Sequence, residues 1–300
     1  MTATIVGLDL WTVLTIIIVV GVGPYIKRVT NNYFFWLVLG TGLFVYLMVG
    51  RFYEQLSDFA KNGNDNGIGT SRGLLLDICP FCAFSICIAI AVDPTRKFAK
   101  IIAPFAIFGG LITILGGIGD ELQLSDVSTA RYIFMGDSLN PMYFMMHYIN
   151  VLVGSLVLVS VPKMRFADWI YCNLFAGAYY SYVAICMLTL HVQYNVSGLN
   201  INDWSSGGEY DGVATIFNSS PAVACALGFI LSYSGITLII FGSNRLQLMK
   251  RYRWYNMWNK EKWYIGWYQL KPDVIKEPKS LPYKFAMLIK TSCKKLFGHQ

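Results

Sequence analysis

The chain has 300 residues, 55% of them hydrophobic and 14% charged, with a formal net charge of +7 and a mean hydropathy of +0.48. So little charge and so apolar a composition exclude an ordinary soluble domain and indicate a chain solvated largely by lipid. In that setting the positive charge reads as contact with anionic headgroups, and no nucleic-acid partner is expected.

A helix crossing about 30 Å of hydrocarbon needs roughly 20 mostly apolar residues. In chain order seven stretches qualify: 5–23, 33–50, 73–92, 101–118, 141–161, 168–190 and 221–242. The first lacks the basic start of a secretory signal, and Gly23-Pro24 is followed by Lys27-Arg28 instead of a small-residue cleavage site. The expected fold is therefore all-α: a polytopic membrane bundle of seven transmembrane helices (residues 1–242) followed by a basic, aromatic-rich tail (243–300) at the membrane interface.

Orientation follows from Lys and Arg, which favour the cytoplasmic side. The segments 24–32, 93–100, 162–167 and the tail after 242 hold twenty of them, and the alternate set holds only Arg51, Lys61, Arg72 and Arg131. The alternation is the one seven spans require, so the N-terminus is expected outside and the C-terminus inside. In the tail, Trp254, Trp258, Trp263 and Trp267 interleave with Tyr252, Tyr255, Tyr264, Tyr268 and basic residues. That pattern suits a helix lying among headgroups, so membrane lipids are the expected contact. A surface for a protein partner would look similar. A second amphipathic stretch runs from Tyr283 to Phe297.

The connections are plain. Residues 61–70 form a turn-rich outer loop, and 191–220 a longer one without a single Lys or Arg. Its two glycosylation-type tripeptides, at Asn195 and Asn218, are short enough to arise by chance. No phosphate-binding glycine loop is evident, and neither a cofactor nor a metal is expected. Of seven cysteines only Cys79 and Cys82 form a close pair, and none lies in an outer loop, so no extracellular disulfide framework is expected.

The chemistry concentrates near the outer side. Asp77-Ile78-Cys79-Pro80-Phe81-Cys82 places a carboxylate and two thiols in the first turns of the third span, and ionisable residues at membrane depth mark functional sites. The fifth span carries His147 at a depth comparable to Cys79. Tyr143, His147, Asn150 and Gly154 repeat at i, i+4, i+7 and i+11, one small and polar face that should look into the bundle. Arg51 and Glu54 close the second span, Asp120 and Glu121 the fourth, and His191 the sixth. These residues together predict a cavity open to the outside. In an unbroken helix Asp77 and Cys79 would differ by about 200° and face apart, whereas Cys79 and Cys82 would share a face.

Leu74-Leu75-Leu76-Asp77-Ile78-Cys79 resembles the Leu-Pro-Leu-His-Leu-Cys signature of YwaF-like bacterial membrane proteins, and Tyr143-Phe144-Met145-Met146-His147 is similar to that family's second block. The likeness covers roughly residues 70–160. Leu75 stands where the signature has Pro, and Asp77 where it has its first His. Eukaryotic relatives of that family include a cysteine-dependent acyltransferase that remodels phospholipids. The resemblance thus implies a nucleophilic Cys79 with His147 as its partner, and Asp77 would either orient a His or stand in place of a lost catalytic group. Two other readings start from the residues alone. Cys79 and Cys82 form a C-x-x-C pair suited to thiol–disulfide exchange, although no second pair is present to pass electrons on. A transporter, or a non-catalytic subunit of a membrane assembly, would equally use Gly109, Gly110, Gly116, Gly117 and Gly119 for close helix packing.

Overall fold

A computed structural model describes residues 2–22, 27–62, 68–124, 127–136, 140–193, 196–206, 208 and 210–252. They build helices throughout, with no β-strand among the described residues and one isolated bridge between Gly136 and Pro141. In chain order these are α1 (Thr2–Val22), α2 (Lys27–Thr30), α3 (Tyr33–Asn62), α4 (Ile68–Gly73), α5 (Ile78–Val92) and α6 (Lys97–Leu124). There follow α7 (Thr129–Met135), α8 (Tyr143–Ser160), α9 (Phe166–Leu190), a 3-10 turn (Ile201–Trp204), α10 (Asp211–Phe217) and α11 (Pro221–Tyr252).

Seven stretches are long and apolar enough to cross a membrane: Thr4–Val22, Tyr33–Tyr53, Ser71–Val92, Lys97–Gly117, Tyr143–Ser160, Phe166–Leu190 and Pro221–Leu246. They coincide with the seven read from the sequence. The third, fourth and fifth have 56%, 56% and 67% of their apolar window buried, against 17–22% for the other four. Helices α5, α6 and α8 are therefore the centre, and the remaining spans are solvated on their outer faces. Phe34, Val38, Leu188 and Leu238 are each more than half exposed, which would be a liability in water and is the ordinary state of a side chain in hydrocarbon.

Small residues let the central helices touch through their backbones. A Cβ on Gly110 of α6 would collide with the carbonyl oxygen of His147, and one on Gly154 of α8 would meet Ile107 Cγ1 at 2.7 Å and Ala103 O at 3.1 Å. Gly40 brings α3 against α5 in the same way, with Cys87 O at 2.6 Å from the position of its missing Cβ. Such approaches are how helices associate where lipid offers no hydrophobic drive.

The third span is not one helix. α4 stops at Gly73, α5 restarts at Ile78, and Leu75 between them takes the left-handed region with φ of 55°. Unpaired carbonyls at membrane depth would cost several kcal/mol each, and here they are taken from elsewhere in the fold. Tyr182 OH donates to Leu74 O at 2.7 Å, and Tyr179 OH and Ser197 Oγ donate to Leu76 O at 2.7 and 3.0 Å. The expectation of a continuous helix across residues 73–92 is corrected accordingly.

The opposite end of the bundle is fixed by polar contacts. Between α5 and α6, the Asp93 carboxylate accepts from the backbone N–H groups of Thr95 (2.9 Å), Lys97 (2.7 Å) and Phe98 (3.2 Å) and from the Thr95 hydroxyl (2.6 Å). Partial burial opposes ionisation, but these donors outweigh it and hold the carboxyl below its usual range, so it stays ionised as the cap of α6. Lys100 Nζ reaches Asp168 Oδ2 at 2.6 Å and Lys163 O at 3.0 Å, tying α6 to the start of α9. Asn244 of α11 accepts from Met164 N at 2.7 Å and donates to Met164 O at 3.0 Å, closing the third corner. α11 runs from Pro221 to Tyr252. The aromatic run from Trp254 onward, the Tyr283–Phe297 stretch and Cys293 lie outside the described residues.

Candidate functional site

The site forms where α5 restarts. Asp77 is the N-cap of α5, and its carboxylate accepts from Cys79 N at 3.3 Å. Asp favours this position because its side chain satisfies an orphan N–H at a helix start. The carboxylate is thus bonded to the Cys79 backbone, at the point where the span restarts. The next free donor, Ile78 N, goes to Ser197 Oγ at 2.8 Å, so the loop after α9 straps the start of α5.

Cys79 is 6% exposed, with Sγ 3.7 Å from Thr113 Oγ1 of α6 and its carbonyl accepting from Asn150 Nδ2 of α8 at 2.8 Å. His147, one turn before Asn150, is 3% exposed, and its Nδ1 lies 2.6 Å from Tyr143 O. A carbonyl cannot donate, so Nδ1 carries the hydrogen, and in the neutral ring Nε2 holds the lone pair. Tyr143 also sets its ring edge-on to the imidazole, with centroids 4.9 Å apart. Cys79 and His147 sit on one pair of adjacent residues in α6. A Cβ on Gly109 would be 3.0 Å from Cys79 Sγ, and one on Gly110 would strike His147 O. Among the described residues no hydrogen bond joins the thiol to the imidazole. Cys82 is also buried, and neither thiol is in a disulfide.

Arg51 completes the cluster from α3. It is 6% exposed, donates through Nη1 to Met146 Sδ at 3.5 Å, and its buried Nε has no hydrogen-bond partner among the described residues. Asp77, Arg72 and Cys79 act on it electrostatically, and it acts in turn on His147.

Hydrogen bonds link Asp77 to Cys79 N, Cys79 O to Asn150 and Tyr143 O to His147, and Arg51 reaches Met146 on the same helix as the last three. Among the described residues Arg51, Cys79, His147 and Asn150 are each at most 6% exposed. The strap at Ser197 and the close seat on Gly109 and Gly110 enclose them. His191 stands apart, exposed at the C-terminal end of α9 with φ of 53°. The side chains of Glu54, Asp120 and Glu121 lie outside the described part of the molecule. Sequence reading missed Thr113, Tyr179 and Ser197. Thr113 carries one faint signal, one turn after the Gly109–Gly110 pair, and Ser197 had been weighed only as part of a glycosylation tripeptide. Among the described residues no three of His, Cys, Asp or Glu gather as a metal-binding group.

Comparison with known proteins places this arrangement in a family. The model "Family of unknown function (DUF5378)" matches residues 10–266. A Mycoplasma genitalium protein named "Uncharacterized protein MG135" is 31% identical over 245 residues, covering 76% of this chain and 85% of its own. Its Mycoplasma pneumoniae homologue is 30% identical over 244 residues, with the same 76% and 85% coverage. No solved structure matches the chain. With most of its length matched by the family model and by both relatives, including every residue of the buried cluster within the family match, the chain belongs to the DUF5378 family.

Proposed function

We propose that the protein is a multi-pass protein of the cell membrane, N-terminus outside and C-terminus inside, whose Cys79–His147 centre transfers or hydrolyses the acyl chain of an outer-leaflet phospholipid. The orientation rests on the partition of twenty against four basic residues between alternate connections. Labelling of Cys293 by an impermeant maleimide in intact cells would overturn it.

The observation that carries the chemistry is the tautomer of His147. Its Nδ1–H is held by Tyr143 O, which leaves Nε2 as a proton acceptor, and the backbone of His147 packs on Gly110, next to the Gly109 that lies against Cys79 Sγ. A cysteine beside such a base is a competent nucleophile. The thiol leaves Thr113, gives its proton to Nε2, and its sulfur attacks the acyl ester carbonyl. The ester C–O bond breaks, the leaving lysophospholipid oxygen takes the proton from His147, and a Cys79 thioester remains. A second hydroxyl, from water or another lysophospholipid, then attacks the thioester. Its proton passes through His147 to the departing Cys79 sulfur, which restores the thiol. The likeness to the YwaF-like signature supports the same pair. Within that likeness, Leu75 at φ 55° matches its departure from Pro, because a proline ring fixes φ near −65° and could not take this backbone.

Thr113 on the thiol and Asp77 spent as a helix cap favour a second reading, a non-catalytic subunit with a polar structural centre. Full-length protein incubated with a phospholipid labelled in its acyl chain separates the two. The acyl reading expects a labelled thioester at Cys79 that hydroxylamine releases. It expects no transfer by Cys79→Ala and a loss of about 10²–10⁴-fold in His147→Gln. An unlabelled Cys79 with no acyl transfer by the native protein would leave the subunit reading in its place.

A further inference from the structure

Thiol and imidazole chemistry leaves Arg51 without a task. A guanidinium at membrane depth is costly unless paired, and the one ion pair among the described residues is Lys100 with Asp168, elsewhere in the fold. The hydrogen bond Arg51 does make goes to a thioether, a weak acceptor. Its Nε is buried without a partner. The carboxylate within reach, Asp77, is occupied as the N-cap of α5. A second orphan lies on the next turn of α8 from Met146: Asn150 is fully buried, and its Oδ1 accepts nothing. Unsatisfied buried groups are rare in native proteins and call for a missing partner. A guanidinium only donates, so the partner must be an acceptor, and its fork matches a phosphate oxygen pair.

We propose that Arg51 binds the phosphate of a glycerophospholipid, anchoring the headgroup so that its acyl ester is presented to Cys79 and His147. The assignment of the lipid as substrate rests on the acyl-transfer reading, whereas the phosphate site rests on Arg51 alone. The lipid phosphate would displace the Met146 contact and satisfy Nε.

The test uses full-length protein, delipidated in detergent, with thermal unfolding as the readout. Three additives are compared: short-chain phosphatidylglycerol, a diacylglycerol with the same chains and no phosphate, and inorganic phosphate. Phosphatidylglycerol should raise the melting temperature, diacylglycerol should not, and inorganic phosphate should act only weakly. Arg51→Met should weaken phosphatidylglycerol binding by about tenfold or more, and Arg51→Lys should keep part of it. An equal shift with diacylglycerol, or an undiminished shift in Arg51→Met, would overturn the site. A full shift with inorganic phosphate alone would overturn the lipid as its source. If Arg51→Met does not fold, native mass spectrometry of Arg51→Lys decides, and lipid retention equal to the native protein counts against the proposal. Native protein that binds the lipid but never transfers its acyl chain sinks the acyl reading and leaves the phosphate site standing. Transfer that survives unchanged in Arg51→Met does the reverse.

Discussion

Lys100→Met is expected to destabilise the protein by roughly 3–5 kcal/mol, the cost of leaving one member of a buried ion pair without the other. Lys100 and Asp168 side chains are 9% and 15% exposed, and the 2.6 Å contact joins α6 to α9. The carboxylate has a second duty: Asp168 Oδ2 accepts from Arg165 N at 2.7 Å and completes the capping box of α9. Asp168→Leu should therefore cost more than Lys100→Met, because it removes a charge partner and a helix cap together. The double variant should recover part of the loss, since neither charge is then stranded. Thermal unfolding in detergent reads this directly, with Lys97→Met, at an exposed lysine three residues away, as the control. A Lys100→Met melting temperature no lower than that control would show that the pair contributes nothing.

The second large effect is expected at Gly110. Even a methyl group there would collide with His147 O and stand 3.0 Å from Val151 Cγ2 and 3.1 Å from Asn150 Cβ. The first obstacle is backbone and cannot rotate away, so α6 and α8 must separate. Gly110→Ala should cost about 1–3 kcal/mol through overpacking, and Gly110→Leu more. Gly116→Ala in the same helix meets nothing within 4 Å and should be neutral or slightly stabilising, because Ala is the better helix former. On the proposed acyl-transfer reading, the same displacement would move His147 relative to Cys79, so transfer should fall in Gly110→Ala while Gly116→Ala retains it. If Gly110→Ala melted and turned over like the native protein, the shared glycine seat would not be what positions the pair.

Much of the site was legible because its parts obey local rules. The inward face of α8 follows from the spacing of Tyr143, His147, Asn150 and Gly154, and burial of His147 and Asn150 bears it out. The third span was misread for a reason that is equally physical. A run from Gly73 to Val92 is apolar enough to be one helix, and nothing local forbids it. The chain breaks at Leu74–Asp77 because Tyr179, Tyr182 and Ser197, over a hundred residues away, supply the hydrogen bonds that the broken helix lacks. Thr113 was equally invisible, since its place beside Cys79 depends on how closely α5 approaches α6 at Gly109.

The sequence by itself determined the number and limits of the seven apolar spans, because each must be long and apolar over its own length whatever its neighbours do. It also singled out Cys79, His147 and Arg51, because polar groups in an apolar run are conspicuous anywhere. Only the tertiary structure decided that Asp77 is a helix cap held to Cys79 N, that the Cys79 thiol lies against Gly109 and the His147 backbone against Gly110, and that Arg51 is enclosed without an ion-pair partner among the described residues. Those outcomes depend on distances between helices, and a distance between helices is set by packing that no single segment encodes.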